Sequence, residues 1–227
     1  MSSPSSDCRT TRASLELADW RRQVAALYEH VRDRATDPVA AWNHWRAVRD
    51  DLYRHHPQSP VPATARAAFR GLYWPYEPGL RFEVVVDTKP GEDGPDGTTF
   101  TPRPAPALNL PMSTGEALDF TRIGEIAVPF PGGTRTLGLF WIAGYAGGLF
   151  LPFRDATNGT ATYGAGRYLL DTAKGADLGG DPAKGTVILD FNFAFQPSCA
   201  FDPQWSCPLA PAENRLDVPI EAGERIA

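Results

Sequence analysis

The sequence is poor in the residues that bind metals or cross-link small domains. It has three cysteines and four histidines in 227 residues. A chain of this length buries about 70–75% of the surface that its unfolded form exposes, so its core depends on neither disulfides nor a metal. The composition excludes a disulfide-rich scaffold, and the length favours a single domain.

The sequence also lacks an excess of basic residues. Its 22 Lys and Arg are outnumbered by 27 Asp and Glu, giving a net charge of −5. Binding to a nucleic-acid backbone or to an anionic membrane surface requires clustered cations. We therefore predict no nucleic-acid partner and no membrane partner.

Long hydrophobic runs are absent as well. Residues 1–19 contain no apolar segment of the kind found in signal peptides. The uncharged run 136–153 is interrupted by glycines and is shorter than the roughly 20 apolar residues of a membrane-spanning helix. We predict a cytoplasmic protein with a disordered tail at 1–13 and one domain over 14–227.

Two amphipathic helices are predicted at the start of this domain. Apolar residues recur at helical spacing from Ser14 to Arg34, and again from Val39 to Leu52. Asp37 followed by Pro38 is a strong helix-start signal, because Asp caps free amides and Pro loses no hydrogen bond at the first helical position. Residues 14–56 are thus expected to form a helical hairpin.

The remainder of the chain is typical of β-structure. Glycine and proline punctuate short runs rich in Val, Ile, Phe and Tyr between residues 80 and 220. The predicted strands, with a polar turn at 91–97, are 80–87, 120–130, 136–143, 149–154, 160–170, 185–191 and 216–220. Because no strand–helix alternation appears, a doubly wound nucleotide-binding fold is excluded. We predict a mostly β member of the α+β class: an antiparallel barrel or sandwich with the N-terminal helical hairpin packed on it.

A first polar cluster surrounds Arg167. Glycines 164 and 166 would expose backbone amides, and the guanidinium that follows them suits a carboxylate or a phosphate. An anion site is one interpretation. The alternative is a β-bulge in which Arg167 pairs with Asp155 or Asp190 as a structural strut.

A second cluster begins at Asp190. If this segment continues as a strand, Asp190 and Asn192 share one face and Phe191 and Phe193 the other. Asp190 would then act as a base or an orienting group, and Asn192 would donate a hydrogen bond to a substrate oxygen. The alternative is an ordinary solvated face.

The third cluster contains Cys199 and Cys207. A disulfide is disfavoured in the cytoplasm, and the spacing differs from that of the paired thiolates in structural zinc sites, so we predict no metal. A nucleophilic Cys199 needs a base, and His56 at the end of the second predicted helix is the best placed histidine. The alternative for His56 is a helix-capping role.

Eleven short strings form a pattern along the chain. They are 49–50, 56–60, 69–72, 162–163, 166–169, 190–192, 197–201, 207–208, 211, 213–216 and 222–224. Together they resemble the bacterial and archaeal family called domain of unknown function 1684. The resemblance covers about residues 40–227, and its departures from the expected pattern are Gln196 in place of Asn and Ser198 in place of Pro. It implies that the three clusters belong to one site, but it carries no activity or cofactor.

Two functions are compatible with these residues. The first is an enzyme acting on a small anionic metabolite, and the second is a non-catalytic ligand-binding domain with structural cysteines. The expected catalytic residues are Cys199, Asp190 and His56, and the expected substrate contacts are Arg167, Asn192, Tyr163, Glu213 and Asn214.

Overall fold

The computed structural model describes residues 4–88, 107–113, 115, 117–144 and 147–226. The predicted turn at 91–97 and residues 1–3 of the predicted tail lie outside this part of the chain.

Two helices open the fold, as predicted. Helix α1 spans Pro4–Asp33 and α2 spans Pro38–His55. The Asp37 side chain accepts a hydrogen bond from the Ala40 amide at 3.1 Å, which is the predicted cap. Helix α1 begins before Ser14, so residues 4–13 are helical and the predicted disordered tail is wrong there. Proline at the first position and the absence of glycine within α1 allow this extension.

The strands form a curled antiparallel sheet, a half-barrel, which confirms the predicted fold class. Its strand order is β7-β6-β5-β4-β2-β9-β8, with β3 also paired to β4, and a separate two-stranded sheet pairs β1 with β10. The bounds are β1 Leu72–Tyr73, β2 Arg81–Asp87, β3 Ala107–Pro111, β4 Ala117–Phe130, β5 Gly133–Ile142, β6 Gly148–Phe153, β7 Arg167–Asp171, β8 Gly180–Asp181, β9 Thr186–Asp190 and β10 Glu224–Arg225.

The longest hairpin turns at Pro131-Gly132-Gly133, where the two glycines predict a tight turn between the predicted strands 120–130 and 136–143. Strands β4 and β5 pair from Phe120 with Ile142 to Phe130 with Gly133. Gly133 has a φ of 110°, a backbone conformation that glycine adopts at little steric cost.

Three predicted strands differ from the structure. Strand β9 ends at Asp190 and residues 191–193 form a 3-10 turn; the predicted strand 160–170 begins only at Arg167; and 216–220 is not a strand. At 216–220 the Leu216 amide donates to the Arg154 carbonyl at 2.8 Å and the Val218 carbonyl accepts from the Ala156 amide at 3.1 Å, a short bridge that does not extend into a regular strand. The turn after β9 forms because the Asp190 carboxylate accepts a hydrogen bond from the Asn192 amide at 3.0 Å.

The core lies between the helices and the concave face of the sheet. Trp45 of α2 is fully buried and makes edge contacts with Tyr73 and Phe193, at ring-centroid distances of 5.8 and 5.4 Å. Among the described residues, no helix is both long and apolar enough to cross a membrane.

The chain's C-terminal segment is joined to α2 by a buried ion pair. Arg49 donates two hydrogen bonds to the Glu224 carboxylate, which also accepts from the Gln196 amide at 2.6 Å. The Arg49 guanidinium lies over the rings of Tyr53 and Phe195 at 4.5 and 4.9 Å. This pair holds β10, α2 and the residues after the 3-10 turn together.

Candidate functional site

Arg167 lies in the interior with no exposed surface. Its guanidinium donates to Asp155 at 2.8 Å and to the backbone carbonyls of Ile220, Ala222 and Glu224. Burial lowers the pKa of Arg167, although Asp155 acts in the opposite direction. Because both terminal nitrogens of the guanidinium already have internal partners, the geometry favours the structural strut over the anion site.

The glycines before Arg167 serve this packing. The Gly166 amide donates to the Tyr163 carbonyl at 3.0 Å, so it is not offered to a ligand. Gly166 has a φ of 105°, and a Cβ at this position would lie 2.5 Å from the Phe153 carbonyl oxygen. A glycine is therefore required for the chain to pass β6.

Asp190 and Asn192 neither share a strand face, as the sequence predicted, nor form the solvated face of the alternative, because the strand ends at Asp190. Both are buried, and the Asp190 carboxylate accepts hydrogen bonds from the Asn192 amide groups and, at 3.0 Å, from the Tyr76 hydroxyl. The Asn192 side chain also bonds both backbone groups of Glu77. Burial raises the pKa of Asp190. These contacts anchor the segment 76–77 to the end of β9.

Asn214 and Glu213 are neighbours in the chain but make different kinds of contact. Asn214 is fully buried and bonds the Gly138 amide and carbonyl and the Pro152 carbonyl, at 2.7–2.9 Å. Glu213 is exposed and pairs with Arg122 at 2.8 Å. Asn214 thus links β5 to β6, and Glu213 lies on the surface.

Cys199 and Cys207 lie side by side as free, buried thiols. The Cys199 amide donates to Cys207 Sγ at 3.3 Å, which places the two side chains next to each other. A hydrogen bond from the Cys207 thiol, with a weaker one from the Tyr163 hydroxyl, lowers the pKa of Cys199 to about 6 against the effect of burial. The same bond raises the pKa of Cys207. This hydrogen bond therefore favours the thiolate form of Cys199 and the thiol form of Cys207.

Tyr163 is thus a neighbour of the cysteines. Its pKa is raised by burial and by Cys199, so its hydroxyl keeps its proton and donates to the thiolate. Ser113 is fixed in the same place, since its hydroxyl accepts from the Cys207 amide at 3.0 Å.

His56 is buried at the end of α2. Its Nδ1 accepts from the Gln58 amide at 3.0 Å, and its Nε2 lies 3.3 Å from Asp19 of α1. Trp20 packs edge-on against the ring at 5.2 Å. These contacts tie the turn after α2 to α1, and they differ from the terminal carbonyls that the capping alternative expected the ring to contact.

Among the cavities that the described residues form, we consider two that are open to solvent. The larger, of about 240 Å³, lies between the helices and strands β8 and β9, with Arg32, Arg81 and Asp190 in its wall. The smaller, of about 190 Å³, is lined by residues 69–72 and 224–226 together with Gln196, Ala200 and Phe201. Asp190 is the one predicted site residue in either wall, as far as the described residues extend.

The smaller cavity gathers segments that are remote in sequence. Three of the strings that carry the family resemblance, 69–72, 197–201 and 222–224, contribute to its wall. We consider this cavity the better candidate, although it is the smaller one, because the larger one draws on a single such string, 190–192. Sequence reasoning singled out these strings but did not predict that Arg70, Gln196 and Glu224 would meet.

The sequence expected all of the clusters in one site, and the structure joins only some of them by hydrogen bonds. Arg167 and the Gln196 side chain both donate to the Glu224 carbonyl, and Gln196 accepts from the amide of Tyr163, the neighbour of Cys199. Asp190 is bonded instead to Asn192 and Tyr76. Within the described ranges, no group of three or more His, Cys, Asp or Glu side chains is placed to hold a metal ion.

The half-barrel with two N-terminal helices defines the structural class of this protein. Comparisons with known proteins identify its family. The family model described as "Protein of unknown function (DUF1684)" matches residues 68–225. The chain belongs to this family, as the resemblance predicted. No curated protein matches the chain.

A solved structure shares the fold. The solution NMR structure of an uncharacterised protein from Haloarcula marismortui has 29% sequence identity and a TM-score of 0.58, over 86% of this chain and 97% of that one. The fold is thus shared with a protein that is itself described as uncharacterised.

Proposed function

We propose that this protein binds a small anionic molecule in the 190 Å³ cavity. The observation that carries the proposal is the meeting of three family-resembling segments in one wall. Small-molecule sites are concave and mostly apolar, with a few polar groups that orient the ligand. Phe69 and Phe201 supply aromatic surface here, with ring centroids 5.9 Å apart.

The charges around this cavity support an anionic ligand. Glu224 in its wall is already paired with Arg49, so its charge is balanced inside the protein. Arg70 is exposed, with one donor bonded to the Phe69 carbonyl at 2.7 Å, and Arg225 lies in the wall beside Glu224. A planar guanidinium at the rim suits a carboxylate or a phosphate. The volume is below the roughly 300 Å³ of typical ligand pockets, which favours a small metabolite.

Binding without catalysis fits this cavity better than the enzyme hypothesis does. Arg167, Asp190, Asn192 and Asn214 are engaged in internal hydrogen bonds, which leaves few groups for chemistry. The low pKa of Cys199 favours the second candidate, an enzyme with a nucleophilic thiolate.

We also propose a cytoplasmic location without nucleic-acid or membrane partners, supported by the adjacent free thiols and the net charge of −5.

The test is thermal unfolding in the presence of inorganic phosphate, sulfate and a panel of small carboxylates. A ligand that binds only the native state stabilises it by about 2.7 kcal/mol at a hundred times its Kd. We expect at least one anion to raise the melting temperature, and Arg70→Ala to remove the increase without changing the unliganded melting temperature.

Arg135→Ala is the matched control, because Arg135 is bonded to Asp217 and does not line the cavity. It should retain the anion effect. An anion effect that Arg70→Ala leaves intact, or no effect from any anion in the panel, would refute the proposed site.

A further inference from the structure

The structure brings together two thiols whose sequence spacing matches no metal motif. Cys199 lies in the 3-10 turn Ser198–Ala200, and Cys207 follows the next turn of the chain. Their exposed fractions are 7% and 4%. Such a pair is accessible only to small reagents.

We propose that Cys199 and Cys207 form a peroxide-reactive dithiol, in which Cys199 is attacked first and Cys207 resolves the product to a disulfide. The carrying geometry is the Cys199 amide directed at Cys207 Sγ at 3.3 Å, which places the two buried cysteines next to each other. The proposal is independent of anion binding, since neither cysteine lines the cavity.

The first step consumes one peroxide molecule. The Cys199 thiolate attacks a peroxide oxygen, so that an S–O bond forms and the O–O bond breaks, and the leaving hydroxide takes a proton to become water. The Tyr163 hydroxyl stabilises the charge on Cys199 before the attack. The product is a sulfenic acid on Cys199.

The second step forms the disulfide. Cys207 loses its proton and attacks the Cys199 sulfur, an S–S bond forms, the S–O bond breaks, and the hydroxide that leaves takes the proton as water. The Cys199 amide stabilises the charge that develops on Cys207 Sγ. In sum, two thiols and one hydrogen peroxide give one disulfide and two waters, a two-electron oxidation of the protein.

The experiment treats the full chain with hydrogen peroxide in a Cys8→Ser background, which removes the third thiol. We expect intact-mass measurement to show the loss of two hydrogen atoms and peptide mapping to join Cys199 to Cys207. Thiols that remain reduced in the native protein but react after denaturation would show that the pair is purely structural, and would overturn the proposal.

Single variants test the order of reaction. Cys207→Ser should stop at a sulfenic acid on Cys199, trapped by a 1,3-dione probe, and Cys199→Ser should lose that signal entirely. Trapping at Cys207 in the second variant would overturn the assignment. Circular dichroism of each variant checks the fold, and Arg70→Ala should still form the disulfide, so failure of the anion site and failure of the dithiol are distinguishable.

Discussion

At the scale of single residues, some polar side chains are fully engaged in hydrogen bonds within the protein, and others retain reactivity. The side-chain amides of Asn214 and Asn192 hydrogen-bond to backbone groups of neighbouring segments. Cys199 differs, because its hydrogen bonds stabilise the charged form of the side chain and not the surrounding backbone. The protonation state of the Cys199 thiol can therefore be tested directly by measuring its reactivity against pH.

We expect the alkylation rate of Cys199 in the Cys8→Ser protein to rise with pH through a midpoint near 6. The group's pKa is lowered to about 6, so the reactive thiolate is present above that pH and lost below it. Mass-resolved labelling with iodoacetamide across the pH range measures the midpoint.

Tyr163→Phe removes one donor to the thiolate and should move this midpoint to higher pH. Tyr76→Phe is the control, because its hydroxyl bonds Asp190 and not a cysteine. Equally slow labelling of Cys199 and Cys207 with midpoints near an ordinary thiol's pKa would contradict the prediction.

At the scale of elements, helix α2 is the piece that connects the N-terminal pair to the sheet. Its buried face carries Trp42, Trp45, Arg49 and Leu52 at helical spacing. The Trp42 indole donates to the Asn192 carbonyl at 3.1 Å, which fixes the helix against the 3-10 turn after β9. Docking of α2 therefore depends on both apolar contact and a directional bond.

Trp45→Ala should destabilise the protein by about 3–5 kcal/mol, because the fully buried ring would leave a cavity beside Tyr73 and Phe193. Denaturant unfolding measures the change. Val39→Ala on the exposed side of the same helix, where Val39 is 46% exposed, should change stability by less than about 0.5 kcal/mol. Similar costs for the two variants would argue against the docking described.

At the scale of the whole molecule, the C-terminal segment is held by charges inside the protein. Residues 220–224 supply three carbonyls to Arg167 of β7, and Glu224 is paired with Arg49 of α2. The half-barrel and the helices therefore share the same closing segment. This network explains why an arginine that looked like a ligand-binding group lies at 0% exposure.

Arg167→Ala should reduce the free energy of unfolding by about 3–5 kcal/mol, because it leaves the buried Asp155 carboxylate and three carbonyls without a donor. Urea unfolding monitored by fluorescence measures this change. If the variant does not fold, Arg167→Lys keeps the positive charge but lacks the planar guanidinium. Arg135→Ala, which removes an exposed pair with Asp217, should leave the midpoint nearly unchanged. An unchanged unfolding midpoint for Arg167→Ala, together with loss of the stabilisation by anions, would show that Arg167 binds the anion and is not a structural strut.

Local patterns were sufficient to predict the helices and most of the hairpins. The Asp37–Pro38 signal and the glycine turn at 131–133 specify backbone geometry through neighbours a few residues away, and both are present in the structure. The same patterns misread 190–195, because a side-chain hydrogen bond within that segment replaces the strand by a turn. They also misread the tail at 4–13, where nothing interrupts the helix.

By itself, the sequence determined the class of fold, the family and the strings that matter, because apolar periodicity, turn residues and short motifs are local properties of a chain. The tertiary structure alone decided which polar residues face each other. It buried Arg167 against Asp155, brought Cys199 to Cys207, and joined Arg70, Gln196 and Glu224 in one cavity. The physical reason is that burial and hydrogen-bond partners depend on contacts between segments far apart in sequence, and these determine whether a polar side chain supports the fold or remains available for binding and chemistry.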